Sequence, residues 1–116
     1  MPKDATAIIK SYSPMSEPSL LVLACLREER HGYGIMQAVA QDTGGRVNLG
    51  AGTVYTILYK MEQDGIIKPV REVERRKTYR ATQAGEELLR YELYRLNQLA
   101  GIIHNKIEAA SALGES

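Results

Sequence analysis

The sequence contains no tryptophan, no phenylalanine and only one cysteine. Without the two largest apolar rings, the core has to be assembled from Leu, Ile, Val, Met and Ala. The seven tyrosines, each carrying a hydroxyl, are expected at edges and surfaces. A single cysteine excludes an internal disulfide and a cysteine-based metal cluster, and it fits a reducing compartment. Cys25 sits inside the apolar run 20–26, where it reads either as a small buried hydrophobe or as a redox-sensing thiol. Ten glycines and four prolines are too few for a fibrous or disordered chain. No apolar stretch approaches the roughly 18 residues of a membrane span. The first residues, Asp4 among them, lack the basic-then-apolar layout of a secretory signal. A cytoplasmic protein without membrane contact is expected.

Net charge is nearly absent too, at +1, but its distribution is uneven. Residues 68–80 hold six basic and two acidic side chains, whereas residues 1–67 hold six and seven, and residues 84–116 hold three and five. A local basic stripe on a neutral or acidic body fits either an edge that touches phosphate or a solvated hairpin.

At 116 residues the chain has the size of one domain. Residues 1–16 form an N-terminal arm or a short helix over 5–10. Glu17-Pro18-Ser19 opens a first helix that runs to Leu26, with Pro tolerated in the first turn. A second helix covers 33–42 and stops at Gly44-Gly45. Val54, Ile57, Leu58 and Met61, at i, i+3, i+4 and i+7, signal a third helix that ends at Asp64-Gly65. Residues 66–73 and 77–81 read as two strands joined by a polar turn over 74–76. Thr82 is a plausible N-cap, with Glu86 and Glu87 in the favourable first turn of a long helix over 83–110. Residues 111–116 are expected to be a flexible tail.

Three short helices followed by a hairpin is the order of a winged helix-turn-helix, in which the third helix enters the major groove. The expected fold class is therefore mainly α with a small β-hairpin: a DNA-binding unit over 17–82 plus a C-terminal dimerisation helix. With its apolar residues turned inward, the third helix presents Gly52, Thr56, Tyr59 and Gln63 outward, flanked by Thr53, Tyr55 and Lys60. Ala51 and its neighbouring glycines permit close backbone approach, and Thr can meet base edges or thymine methyls. A solvated amphipathic helix more often carries Glu and Lys on such a face. Arg75, Arg76 and Lys77 put three adjacent cations at the hairpin tip, suited to phosphates or a minor groove. Tyr33, at the start of the second helix, is placed among the phosphate contacts.

Leu89, Leu93, Leu96, Ala100, Ile103, Ile107 and Ala110 recur at spacings of four and three, a heptad seam. A helix of some 27 residues spans about 40 Å, more than the short helices can cover. The seam reads as a homodimer interface, its first turns also packing within the protomer. Catalytic chemistry lacks its parts: there is no carboxylate pair, nucleophile–base set or metal-ligand cluster. His31 has only His104 as a histidine partner and reads as structural, at the junction of the first two helices. No metal and no cofactor are expected. A winged helix that serves as a protein-interaction module, without an operator of its own, is the alternative.

The segments His31-Gly32-Tyr33-Gly34-Ile35, Gly44-Gly45-Arg46-Val47, Gly52-Thr53-Val54-Tyr55 with Met61-Glu62-Gln63-Asp64-Gly65-Ile66-Ile67, and Arg75-Arg76-Lys77-Thr78-Tyr79-Arg80-Ala81-Thr82-Gln83-Ala84-Gly85 resemble the PadR family of transcriptional regulators, from about Pro18 to Leu89. A dimer with one recognition helix per half-site is expected to bind double-stranded DNA at a pseudo-palindromic operator, and the resemblance implies a winged helix-turn-helix whose dimer forms through the C-terminal helix. It also implies repression relieved by small molecules such as phenolic acids or cationic drugs. A single C-terminal helix resembles the compact branch, some of whose members stack planar drugs between tryptophans that this chain lacks. In their place Tyr91 and Tyr94 lie beside the seam, where they either cover its edge or hold an aromatic effector with help from Leu88.

Overall fold

The computed structural model describes residues 4–112. Five helices and a three-stranded antiparallel sheet follow the order α1 (Ala5–Tyr12), α2 (Glu17–Cys25), β1 (Arg30–His31), α3 (Gly32–Asp42), α4 (Ala51–Gln63), β2 (Ile67–Val73), β3 (Arg76–Ala81) and α5 (Gln83–Ala112). The expected class of helices plus a small hairpin is the observed one. Local chemistry starts most of these helices. Asp4 Oδ1 accepts the Ala7 N–H at 2.8 Å, and Ser16 Oγ accepts the Ser19 N–H at 3.3 Å. Thr82 Oγ1 accepts the Gly85 N–H at 3.2 Å while donating to the Gly65 carbonyl at 2.7 Å. α3 is followed by Gly44 and Gly45 and α4 by Gly65, all at positive φ, where a side chain would be strained.

Several boundaries differ from the sequence reading. Arg30 and His31 do not simply follow a helix: they pair with Tyr79 and Thr78 as a short third strand, giving the sheet order β1-β3-β2. His31 then caps α3, its Nδ1 accepting the Gly34 N–H at 3.1 Å, which gives the imidazole its structural task. The hairpin turn is the two residues Glu74 and Arg75, with φ of 51° and 67°, and Arg76 already belongs to β3. Positive φ at both central residues is what a primed hairpin turn requires. α5 runs two residues further than expected, to Ala112. Residues 113–116 of the expected tail lie outside the described residues.

One core lies under α2, α3, α4, the sheet and the first turns of α5, and it reaches α1 through the fully buried Ile8. Aliphatic side chains such as Leu23, Leu26, Ile35 and Leu58 build most of it, each contributing about 1.5–3 kcal/mol on burial. Tyr79 is the exception to the expectation that tyrosines stay at edges, being 7% exposed. Cys25 is buried in this core, and burial pushes its thiol up, which keeps it protonated and favours the small-hydrophobe reading. α5 packs tightly where it begins: a Cβ at Gly85 would collide with the Ile66 carbonyl oxygen.

Candidate nucleic-acid interface

α4 has two unlike faces. Val54, Leu58 and Met61 are buried and Ile57 is half-buried, while Ala51, Gly52, Thr53, Tyr55, Thr56, Tyr59, Lys60 and Gln63 are exposed. The helical rotation that drives the first set inward sets Gly52, Thr56 and Tyr59 at the centre of the second. Tyr59 is the most exposed large hydrophobic side chain of the helix, at 71%. Gly50 begins α4 without a side-chain cap, so its first-turn amides are left to solvent or to an anion.

On one flank, Tyr55 leans toward the sheet. Its hydroxyl lies so close to Gly32 that a Cβ there would sit 2.5 Å away. Tyr33 stands beside His31 with ring centroids 6.4 Å apart and planes 16° from parallel. Tyr33, Tyr55, Arg75, Arg76 and Lys77, all expected to meet DNA, line one open hollow of about 390 Å³ together with His31, Glu72 and Tyr79. The structure thus brings together half of the residues singled out in the sequence.

The three hairpin cations are not equivalent. Lys77 Nζ lies 3.9 Å from Glu62 Oε1 and 5.8 Å from the Tyr79 ring centroid. Among the described residues, Arg75 and Arg76 make no ion pair. Arg71, at the other end of the hairpin, is engaged: its Nε lies 2.7 Å from Glu29 Oε2, which also accepts the Thr78 hydroxyl at 2.5 Å.

The opposite flank of α4 carries a second, smaller hollow of about 100 Å³ that includes Thr56, Lys60, Tyr12 and Ser19. Lys60 is engaged here, its Nζ 3.1 Å from Asp64 Oδ2 and 5.3 Å from the Tyr12 ring centroid. Tyr12 donates to the same Asp64 oxygen at 2.7 Å. Burial, then this bond, pushes its hydroxyl well above the ordinary tyrosine range. The Tyr12–Asp64 contact links residues 52 positions apart, and no local sequence signal announces it.

The seam residues of α5 split in the same graded way. Leu89 is half-buried, whereas Leu93, Leu96, Ala100, Ile103 and Ile107 are exposed, as are Leu99 and Ile102 beside them. Leu20, Leu89, Leu93 and Leu96 line an aliphatic hollow of about 250 Å³ rimmed by Arg27, Glu86 and Arg90. Tyr91 and Tyr94 are exposed, with ring centroids 6.4 Å apart at 46°. Leu88, expected beside them, is instead fully buried in the core. Enclosed there, it cannot line an effector site on the open face.

Glu92 is a buried structural residue that the sequence pattern does not announce. It is fully buried, held by Arg95 Nε at 2.7 Å and Nη2 at 3.0 Å, by the Ser13 hydroxyl at 2.8 Å and by the Met15 N–H at 2.6 Å. The Arg95 guanidinium holds its carboxyl below the usual range against the opposing pull of burial. An i, i+3 Glu–Arg pair in the sequence hints at this, but it reads equally well as a solvated pair.

Among the described residues there is no group of three or more His, Cys, Asp or Glu side chains placed to hold a metal, and no helix long and apolar enough to cross a membrane. The profile of the transcriptional regulator PadR-like family matches residues 20–91. A curated protein of Streptomyces fradiae, named as an uncharacterized 37.1 kDa protein in transposon TN4556, is 34% identical over 87 residues, covering 74% of this chain. The chain spans about a quarter of that relative's length, 25%. Among solved structures, a transcriptional regulator from Clostridium thermocellum superposes with a TM-score of 0.68 at 21% identity, over 89% of this chain and 97% of the other. A PadR family transcriptional regulator from Eggerthella lenta superposes with a TM-score of 0.67 at 24% identity, over 89% and 88% of the two chains. A PadR-like regulator from Bacillus cereus gives 0.66 at 19% identity, over 87% and 96%.

Proposed function

The chain belongs to the PadR-like family of transcriptional regulators, and from that premise we propose that it is a homodimeric, cytoplasmic repressor whose grip on a pseudo-palindromic operator is relieved by a small aromatic effector. One observation carries the DNA-binding arrangement: Tyr33, Tyr55 and the unpaired Arg75 and Arg76 surround one hollow beside the exposed face of α4. α4 enters the major groove with Ala51, Thr53, Thr56 and Tyr59 toward the bases, while Tyr33, Tyr55 and Lys60 flank it at the backbone. Arg75, Arg76 and Lys77 reach phosphates or the minor groove from the hairpin, adding affinity that carries no sequence information.

Two copies meet along Leu93, Leu96, Ala100, Ile103 and Ile107 of α5, with Leu89 at the inner end. The support is the contiguous apolar face these residues leave open to water, larger than isolated surface leucines would give. A two-fold axis through this seam sets the spacing of the two α4 helices, so each reads one half-site. An effector held by the Tyr91–Tyr94 pair beside the seam acts by binding one spacing better than another.

The testing experiment is a mobility shift with the DNA upstream of the chain's own gene, repeated across salt concentrations and against random competitor. A specific, salt-sensitive complex that planar aromatic acids or cations dissolve is the expected result. Tyr91→Ala with Tyr94→Ala should abolish the release and leave dimer and operator binding in place. A complex no tighter than with random DNA would overturn the operator reading. An operator complex that no such compound weakens would overturn the effector reading alone.

A further inference from the structure

The outer face of α4 is poor in the side chains that read bases by paired hydrogen bonds. In the major groove guanine is read by Arg or Lys, adenine by Asn or Gln, and cytosine by Asp or Glu, whereas thymine also offers its C5-methyl group to apolar contact. From Ala51 to Lys60, three turns of helix, there is no Arg, Asn, Gln, Asp or Glu, and the one exposed amide side chain of α4, Gln63, stands at its last residue. The one cation, Lys60, is drawn sideways by Asp64 and the Tyr12 ring. The residues left exposed there include Ala51, Thr53 and Thr56, each ending in a methyl group. Nothing lies within 4 Å of where a Cβ would stand at Gly50 or Gly52, so the missing side chains leave room for the groove to approach the backbone. Arg75 and Arg76, which make no ion pair among the described residues, sit on the hairpin instead, where contacts to phosphate do not discriminate sequence.

We infer that the methyl groups of Ala51, Thr53 and Thr56 read thymine C5-methyl groups, so that thymine positions under α4 define each operator half-site. This rests on the DNA-binding arrangement proposed above. Thr56 is central to the face and is its main determinant; Ala51 and Thr53 act at the end of α4 that enters first. Each methyl contact contributes a factor of about four in affinity, that of one buried apolar carbon, and several per site multiply.

The test begins with selection of binding sites by the full chain from a randomised duplex pool. The selected site is then resynthesised with 2′-deoxyuridine for thymidine in the half-sites, which keeps every base-pairing group and removes only the C5-methyl. Expected are selected half-sites that contain thymine and a uracil duplex bound at least about tenfold more weakly, with random-sequence DNA changed less than about twofold on the same replacement. Thr56→Ser, which keeps the hydroxyl and removes the methyl, should weaken the thymine duplex and add no further loss on the uracil duplex. Equal binding of the two duplexes, or an equal Thr56→Ser loss on both, overturns the thymine reading while leaving the operator intact. A pool that enriches no sequence overturns the operator reading itself, and the thymine reading with it.

Discussion

The carboxylate of Glu92 in α5 accepts the backbone N–H of Met15 at 2.6 Å, joining residues 77 positions apart in a buried contact. Glu92→Gln keeps the shape but removes the charge that Arg95 faces, and Glu92→Ala leaves the Met15 N–H without its partner at a cost of about 1–3 kcal/mol. Because the native carboxyl is held below its usual range, it stabilises the fold fully at neutral pH. That stability is lost as pH falls through the folded-state value. Thermal unfolding followed from pH 7 down to pH 3 should show a steeper acid decline in the parent than in Glu92→Gln. Parallel curves would remove Glu92 from the acid response.

Gly85 and Gly101 lie on the same helix and should answer the same substitution with opposite sign. A Cβ at Gly85 meets the Ile66 carbonyl, while one at Gly101 meets nothing within 4 Å. Gly85→Ala should cost about 1–3 kcal/mol, as overpacking does. Gly101→Ala should stabilise α5 by about 0.5–1 kcal/mol. Chemical denaturation of the two variants checks both.

At the hairpin tip, Arg75→Ala and Arg76→Ala should each flatten the dependence of log affinity on log salt by about 0.9 for every phosphate that the side chain neutralises. Lys77→Ala should change it less, because Lys77 is already near Glu62. Arg75→Gly separates two effects. It relieves a side chain at φ 67°, a strain of roughly 1–2 kcal/mol, yet it removes the cation, so stability should rise while DNA affinity falls. A variant that gains stability and binds DNA as tightly as the parent would remove Arg75 from the interface.

Leu96→Glu and Ile103→Glu place charge in the open face of α5. Buried against a second copy, each costs several kcal/mol; left in water, each costs almost nothing. Sedimentation should therefore show a monomer whose circular dichroism is unchanged. A persistent dimer in the double variant would place the interface elsewhere.

The parts of this molecule that were legible in its sequence are those governed by short-range periodicity. Val54, Ile57, Leu58 and Met61 fix the orientation of α4 by their spacing alone, and Leu89 to Ile107 mark the apolar face of α5 in the same way. Glycines at Gly44, Gly45 and Gly65 mark helix ends because each position needs positive φ. What stayed hidden depends on distant partners. The strand at Arg30 and His31 exists only because β3 offers it an edge. The burial of Tyr79 and Leu88 follows from tertiary packing that their neighbours in sequence do not reveal. The turn at Glu74 and Arg75 lacks the glycine or asparagine that usually announces positive φ.

The chain from the last residue of α1 onward is tied at two points: Tyr12 to Asp64 just past α4, and Ser13 and Met15 to Glu92 in α5. These ties act as struts of a triangulated frame. Tilting α4 against the root of α5 would break one of them, so the two helices are expected to move together. In the dimer proposed above, a change in the distance between the two α4 helices would then come from pivoting at the seam between copies, with the outer turns of α5 as the axle. Stiffness within each protomer would turn a small rotation at that axle into a displacement at the proposed operator.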